Sequence, residues 1–589
     1  MHSNGQIIRR LFRSSLISVI AASVAAMLGL LIDGVIIGRF LGEESMAAYG
    51  LVSPLNTLAL AISSVLATGS QVVCAQYLGQ GKPEKARRVF SMVMCVTLVL
   101  SVVLVTVIVI FLDPLCMLLG ARDANANLLP LTSDYLLGMV FALPSILFLF
   151  EFNSLMRLDG DANRVVVAVA VMTVLDVIFD LLNALVLHGG MLGMGIATSV
   201  AYFIALLIML LHFTKKDIIF RPSLKGLQGK DLLDILSTGA PSAVGNGAAT
   251  IRNFLLNHLM LISAFGGTAV ASLSIMNTVS SLASCLMVGV GMTCAMIAGV
   301  ILGEQDRGAA KELVKTTFFY AVAADVLVFV LIFLFAQPIA ALFGAMPGTQ
   351  LGILAKRGLR FFAASMLIYG LNCCFIYYTQ GMRRMVISNS IFFLQGLVFV
   401  GIAALALFGL LDSDAVWISY IIGEAGTLLT IIIMAAVKKK GLPSSFADYL
   451  FIKEPFGVPE ADQIELSISE ASEVVPASEA VKDFCEKKGG TQKESYLLPL
   501  FVEELGNNIT RYGFEKSKNR SVDVRLMRHP DGWTLRFRDN CKRFDPVEWN
   551  KLHTDPDPAA NIGIRLVCGM SKEVSYLSTM ELNNLTIRL

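Results

Sequence analysis

Apolar residues run in stretches of twenty or more through the first three quarters of the chain, broken by short polar turns, and give way after residue 440 to shorter alternations. A bilayer-crossing helix needs about 20 mainly apolar residues. On that length the runs predict about twelve spans, near 14–38, 48–74, 89–112, 131–155, 164–187, 193–213, 238–264, 270–300, 316–336, 359–380, 385–409 and 414–437. Beyond Lys438-Lys439-Lys440, the stretch GLPSSFADYLFIKEPFGVPEA reads as a linker with Gly, Pro and Ser, and 462–589 reads as a soluble domain. Its pattern predicts strand 463–469, helices 476–488 and 493–512, strands 521–528 and 532–538, helices 545–552 and 562–570, and strands 572–578 and 582–588. Helices and strands in that order predict a two-layer α/β sandwich. The fold class is therefore a polytopic α-helical membrane protein with a C-terminal cytoplasmic α/β domain.

Charge orients the spans. Lys and Arg crowd one set of alternate connections, such as Lys82, Lys85, Arg87 and Arg88, or Lys438 to Lys440, while the opposite set holds only Arg39, Arg122, Lys356, Arg357 and Arg360. Retained loops are enriched in these residues on the cytoplasmic side. Both termini are thus expected in the cytoplasm, with the chain crossing the inner (plasma) membrane many times. The N-terminus begins like a signal peptide, but its apolar run continues to Asp33 without a small-residue cleavage site, so it is read as a retained first span. A net charge of +2 is too small to suggest a nucleic-acid partner. The ten cysteines show no CxxC spacing and read as small buried hydrophobes.

An internal repeat sets the architecture. Residues 41–88 align with 265–312 at a constant offset of 224, which places Leu78-Gly79 on Leu302-Gly303 and Ala47 on Ala271. Six spans fit in that offset, so the halves share one topology and form two parallel six-helix lobes with a substrate path between them. The expected division is 1–220 and 221–440 for the lobes, 441–461 for the linker and 462–589 for the tail.

Carboxylates inside apolar spans carry the candidate chemistry, since each costs about 2.5 to 3.5 kcal/mol at a helix centre on insertion scales. Asp33 lies late in span one; Asp176 and Asp180 lie one helical turn apart, on one face of span five. Converging carboxylates in a poorly hydrated cavity cannot all ionise cheaply, so one holds a proton or a cation neutralises the group. The offset places Asn257 opposite Asp33, which confines coupling to the first lobe. Arg252, His258 and Asp325 read as helix-end or lobe-packing residues, and Glu151 as interfacial.

The sequence resembles the multidrug and toxic compound extrusion (MATE) family in LIDGVIIGRFLG at 31–42 with AAYG following, LGQGKPEKARR at 78–88, LDGDANR at 158–164 and GMGIATS at 193–199. The resemblance implies a V-shaped antiporter exporting small organic, often cationic, compounds in exchange for H+ or Na+. It also implies a coupling site at Asp33 and Asp180, at the position of Asp176, where family members commonly carry Asn, and at a hydroxyl matching Thr198.

In the tail, FVEELGNNITRYGF at 501–514 puts Glu504 and Asn508 on one helix face, an arrangement suited to hydrated magnesium over phosphates. NIGIRLVCGM at 561–570 is a loop entering a helix whose N-terminus could receive an anion. With RDNCKRFDP at 538–546, the order and spacing resemble the histidine-kinase-like ATPases, nearest the anti-sigma-factor serine kinases. The resemblance implies Mg-ATP, with Glu504 as base or water-positioning residue, Asn508 as magnesium ligand, Asp539 as partner of the adenine amino group, and Asn561 and Gly563 at the phosphates. Cys541 and Asn561 stand where such domains carry Gly, so binding is expected ahead of kinase or ATPase turnover. Glu503 reads as a solvated face. No GxxxxGK[ST] loop marks a primary pump.

The leading reading is a cation-coupled exporter whose tail senses nucleotide or a cytoplasmic regulatory protein. A lipid-linked precursor flippase would favour a strongly basic cavity, and Arg252 alone supplies a clear intramembrane cation. A membrane sensor whose tail acts as an anti-sigma-type kinase or binding module is the third reading.

Overall fold

The computed structural model describes residues 4–119, 121, 128–215, 218–223, 226–514, 520–552, 562–580 and 582–589. Its first lobe runs α1 (Asn4–Ile36), α2 (Glu43–Gly79), α3 (Pro83–Ile110), α4 (Leu112–Leu118), α5 (Leu128–Val140), α6 (Ala142–Leu158), α7 (Ala162–Leu182) and α8 (Gly190–Leu210). The second runs α9 (Gly229–Ile262), α10 (Gly266–Glu304), α11 (Arg307–Leu342), α12 (Gln350–Gly381), α13 (Met385–Phe393), α14 (Phe399–Leu411) and α15 (Ser413–Lys439). Wide π-turns extend α7 over Asn183–Leu187 and join α13 to α14 over Leu394–Val398.

Among the described residues, nine helices are long and apolar enough to cross a membrane, ten if the bent pair α5–α6 is one span. The expected count of twelve is not reached: α9 falls short because Asn246, Arg252, Asn253, Asn257 and His258 dilute its apolar stretch, whereas α1 keeps an uncharged apolar run from Ser14 to Ile32. The expected single span 131–155 is two helices bent by 47°. Pro144 explains the break: its ring opposes the carbonyl four residues back, at Val140, where α5 ends.

The repeat is visible in how the lobes meet. A Cβ on Gly79 would collide with the Val300 carbonyl, and a Cβ on its repeat counterpart Gly303 with the Gln76 carbonyl. Gly69 and Gly239 cross in the same way, each against the other helix's backbone. Thr68 and Ser242 hydroxyls meet at 3.1 Å, and Arg88 pairs with Asp231 at 2.6 Å. All these approaches lie toward one end of the lobes, the end that carries the tail. Farther along α9 and α10, Asn246, Thr250, Ser274 and Ser281 are exposed and Thr278 is half-buried.

The tail folds as β1 (Gln463–Ile468), α16 (Val474–Lys487), α17 (Gln492–Asn508), β2 (Val522–His529), β3 (Gly532–Asp539), α18 (Pro546–Leu552), α19 (Ile562–Met570), β4 (Glu573–Thr579) and β5 (Leu582–Arg588). The antiparallel sheet has order β1-β2-β3-β5-β4. Thr491 and Glu494 cap α17 reciprocally. Leu498, Phe501 and Val502 of α17 bury against Val524, Leu535 and Phe537. Because strand side chains alternate, Arg525, Arg536 and Arg538 point from the other face. That face is not bare: it seats on the turn between α10 and α11. Arg525 reaches Asp306 at 2.5 Å, Arg536 reaches Asp306 at 2.8 Å and Glu304 at 3.2 Å, and Arg538 also pairs with Glu304. Burial alone would raise the Asp306 carboxyl, but Arg525, Arg536, Arg538 and the Ala309 N–H outweigh it and hold the group well below the usual carboxylate range. A depressed acid stabilises fully above its ordinary pKa and loses that contribution only in strong acid, so this contact persists at neutral pH.

The stretch expected as a linker is pinned down. Leu450, Phe451, Ile452, Phe456 and Val458 are buried, the Tyr378 hydroxyl donates to the Leu450 carbonyl at 2.9 Å, and Lys439 pairs with Asp448 at 2.9 Å. Its apolar residues, interleaved with Gly, Pro and Ser, outweigh the loop composition.

Candidate cation and nucleotide sites

Helices α1 and α7 pack side by side, and the Thr173 hydroxyl donates across to the Ala25 carbonyl at 3.2 Å. This fixes Asp33 on α1 against Asp176 and Asp180 on α7, all 5 % exposed or less. The Asp33 and Asp180 carboxyls abut, and Asp176 approaches the Thr198 hydroxyl. Neither approach completes a hydrogen bond: Asp33 Oδ1, Asp176 Oδ1 and both Asp180 oxygens lack partners. Thr198 instead donates to the Met194 carbonyl at 3.3 Å, one turn back on α8. Two facing carboxylates with empty acceptor positions have one chemical resolution, a shared proton or a cation between them. Among the described residues no three His, Cys, Asp or Glu side chains form a metal cage. A cation here would therefore draw on the Asp33–Asp180 pair and on hydroxyl or backbone oxygen. Tyr49, Tyr135 and Tyr202 stand within electrostatic reach of the carboxylates, Tyr49 and Tyr135 edge to face at 5.6 Å. Sequence reasoning misses these phenols, although Tyr49 belongs to the AAYG motif that follows the first span.

The second lobe is less bland than expected. Glu424 on α15, 5 % exposed, accepts from Asn372 Nδ2 and Gln395 Nε2, each at 2.8 Å, the latter presented by the π-turn between α13 and α14. Asp325 is fully buried in α11 and accepts from the Gly370 N–H of α12 at 3.0 Å, the lobe-packing alternative of its reading and not the helix-end one. Glu151 is not interfacial either: it is fully buried and accepts from Ser70 at 3.1 Å. Glu424 was findable by the rule that singled out Asp33, a carboxylate inside an apolar run. Arg252 packs over the Tyr420 ring at 5.4 Å, and Asn257 and His258 are exposed.

In the tail, a cavity of about 480 Å³ opens between α17 and the ends of β3 and β5, lined by Asn508, Tyr512, Asp539, Lys542, Arg543 and Asn583 among others. Asp539, 7 % exposed, accepts from the Cys541 N–H and from Asn583 Nδ2, each at 2.8 Å; Asn583 in turn accepts from the Tyr576 hydroxyl at 2.6 Å. Burial raises the Asp539 carboxyl, and the Asn583 amide and Cys541 N–H oppose that rise. An acceptor held by such a chain at a cavity wall fits an exocyclic amino group. Cys541 lies outside the left-handed backbone region, so its side chain costs no strain where related domains carry Gly. Burial and the neighbouring Asp539 push its thiol up to about 12, which keeps it neutral.

Glu504 is half-buried with its carboxylate against the first turn of α19: a Cβ on Gly563 would meet Glu504 Oε2 and lie 3.2 Å from its Cβ. Glu504 thus faces the first turn of α19, and Asn508, one turn farther along α17, lines the cavity. Asn561 lies outside the described residues. Glu503 is no solvated face; it accepts from Ser478 of α16 at 2.8 Å. Asn583 and Tyr576 were missed because their role depends on strand pairing across the sheet.

Comparison with known proteins gives a consistent picture. The MatE family model matches residues 19–182 and 241–404, more than half of the chain in two copies, and the histidine kinase-like ATPase domain model matches 468–589. The probable multidrug resistance protein YoeA of Bacillus subtilis is 23% identical over 430 residues, 71% of this chain and 91% of that protein. The multidrug export protein MepA of Staphylococcus saprophyticus is 22% identical over 421 residues, 70% of this chain and 90% of that protein. Among solved structures, a variant of the Vibrio cholerae MATE transporter VcmN superposes with a TM-score of 0.68 at 18% identity, covering 74% of this chain and 98% of that one.

Proposed function

The chain belongs to the MATE family of multidrug efflux transporters, with a histidine kinase-like ATPase domain at its C-terminus, and from that premise we propose that it is a cation-coupled antiporter exporting small organic cations. The observation that carries this reading is the buried Asp33–Asp180 pair, whose unpartnered oxygens call for a proton or Na+. Binding that ion and binding an organic cation between the lobes compete for the same negative field, which is the basis of exchange. Both termini face the cytoplasm, so residues 1–220 and 221–440 form the lobes and 462–589 a regulatory domain on the inner face. The test is export by the purified chain in vesicles under an imposed proton or Na+ gradient, with a fluorescent organic cation as cargo. Movement indifferent to both gradients would remove ion coupling.

In the tail, Asp539 would receive the adenine amino group and Asn508, with Glu504 beside it, would hold the magnesium of Mg-ATP. When bound, the metal neutralises phosphate charge; the chain's own residues bind and orient the base. Calorimetry of the full chain in detergent should show Mg-ATP binding that Asp539→Ala weakens at least about tenfold, the loss expected when a hydrogen bond to a charged acceptor is removed at about 1.5–3 kcal/mol. Equal affinity in Asp539→Ala would place the base elsewhere.

A further inference from the structure

The tail holds on to both lobes. On the second lobe, Arg525, Arg536 and Arg538 close on Glu304 and Asp306, and Asn584 Nδ2 adds a hydrogen bond to Glu304 Oε1 at 3.1 Å. These groups are out of water: Asp306 is 0 % exposed and the three arginines 6 % or less. On the first lobe, the Met580 N–H, in the β4–β5 turn, donates to the Leu158 carbonyl at the end of α6 at 3.2 Å. The Met580 side chain is buried in the same apolar cluster as Leu155 and Leu158, with Leu577 packed beside it. One small rigid domain is thus fixed at two points to two bodies, on the side where Gly79 and Gly303 already bring those bodies together.

We propose that the tail is an autoinhibitory clamp: docked on Glu304 and Asp306 at one end and on Leu158 at the other, it keeps the cytoplasmic ends of the lobes closed and so restrains export. This rests on the transport reading above, because alternating access requires those ends to part. Each anchor is necessary, since a domain bound to one lobe alone would travel with it and restrain nothing. The charged anchor is sensitive to single changes: removing one partner leaves a buried charge without compensation. The apolar anchor is independent of it, because Met580 projects from a turn and contributes nothing to the sheet's own core.

The test measures the separation of the cytoplasmic ends in the full chain by pulsed electron resonance. The spin labels are carried on non-canonical residues at Lys82 and Lys311, exposed positions on opposite lobes. Glu304→Gln breaks the charged anchor from the transporter side and leaves the tail unaltered; Met580→Asp breaks the apolar one. Each is expected to raise the ends-apart population at least about tenfold over the parent chain, and to quicken export of a fluorescent organic cation from vesicles. No response to either variant would mean that the tail is a passenger, and a response to one alone would mean that the two anchors do not act as a pair; either result would overturn the clamp. Ends that part in both variants without faster export would leave the clamp standing and count against the export reading.

Discussion

Asp33→Asn and Asp180→Asn are each expected to reduce ion-driven export in vesicles to background while the protein still inserts and purifies normally. The two carboxyls face one another with empty acceptor positions on α1 and α7, buried from water. An amide keeps the size and one oxygen but can neither take up a proton nor neutralise a cation, so the exchange that would drive the lobe loses its ligand. Packing should survive, because an amide keeps the carboxyl's volume and the Thr173 hydroxyl on the Ala25 carbonyl ties α1 to α7 independently of Asp33 and Asp180. Asp176→Asn should cost less, since Asp176 abuts the Thr198 hydroxyl and reaches the Asp33–Asp180 pair only electrostatically. Export at the parental rate in either the Asp33 or the Asp180 variant would remove the pair from the coupling step.

Gly79→Val is expected to pry the lobes apart at the tail side. A β-branched side chain there must displace the Val300 carbonyl and its helix. Overpacking of this kind costs about 1–3 kcal/mol, and here the whole cost falls on the closed state, which shifts the closed-to-open ratio by about 5-fold to 150-fold. Cys74 and Cys294, both fully buried in the cluster beside this crossing, are built-in reporters. Their alkylation by a membrane-impermeant reagent from the cytoplasmic side, read by peptide mass spectrometry, should accelerate correspondingly. Gly303→Val should give the same result through the Gln76 carbonyl, as the repeat requires. Unchanged thiol protection in both variants would mean that this crossing is not the closure.

Much of the architecture is legible in the order of residues alone. Element types in the tail follow the hydrophobic pattern closely, since a two-residue period and a 3.6-residue period are hard to confuse over strands and helices of this length. The repeat offset anticipates the Gly79–Gly303 meeting, because parallel copies related by a pseudo-twofold axis bring equivalent positions together. Three features are not legible there, each for a physical reason. The bend at Phe141 depends on Pro144 acting on a carbonyl within an unbroken apolar run. Burial of Glu151, Asp325 and Glu424 depends on which helix faces which, and hydropathy carries no such information. The arginines of β2 and β3 look like an ordinary solvated strand face, and only docking against Glu304 and Asp306 reveals their partner.

Alternation along β3 and β5 carries a further consequence. Asp539 and Asn583 line the cavity, while their chain neighbours Arg538 and Asn584 grip Glu304. A ligand on one side of the sheet and the membrane body on the other are therefore separated by a single peptide unit. News of occupancy would need no relay through the domain: a slight twist of two strand ends is already felt at the opposite surface.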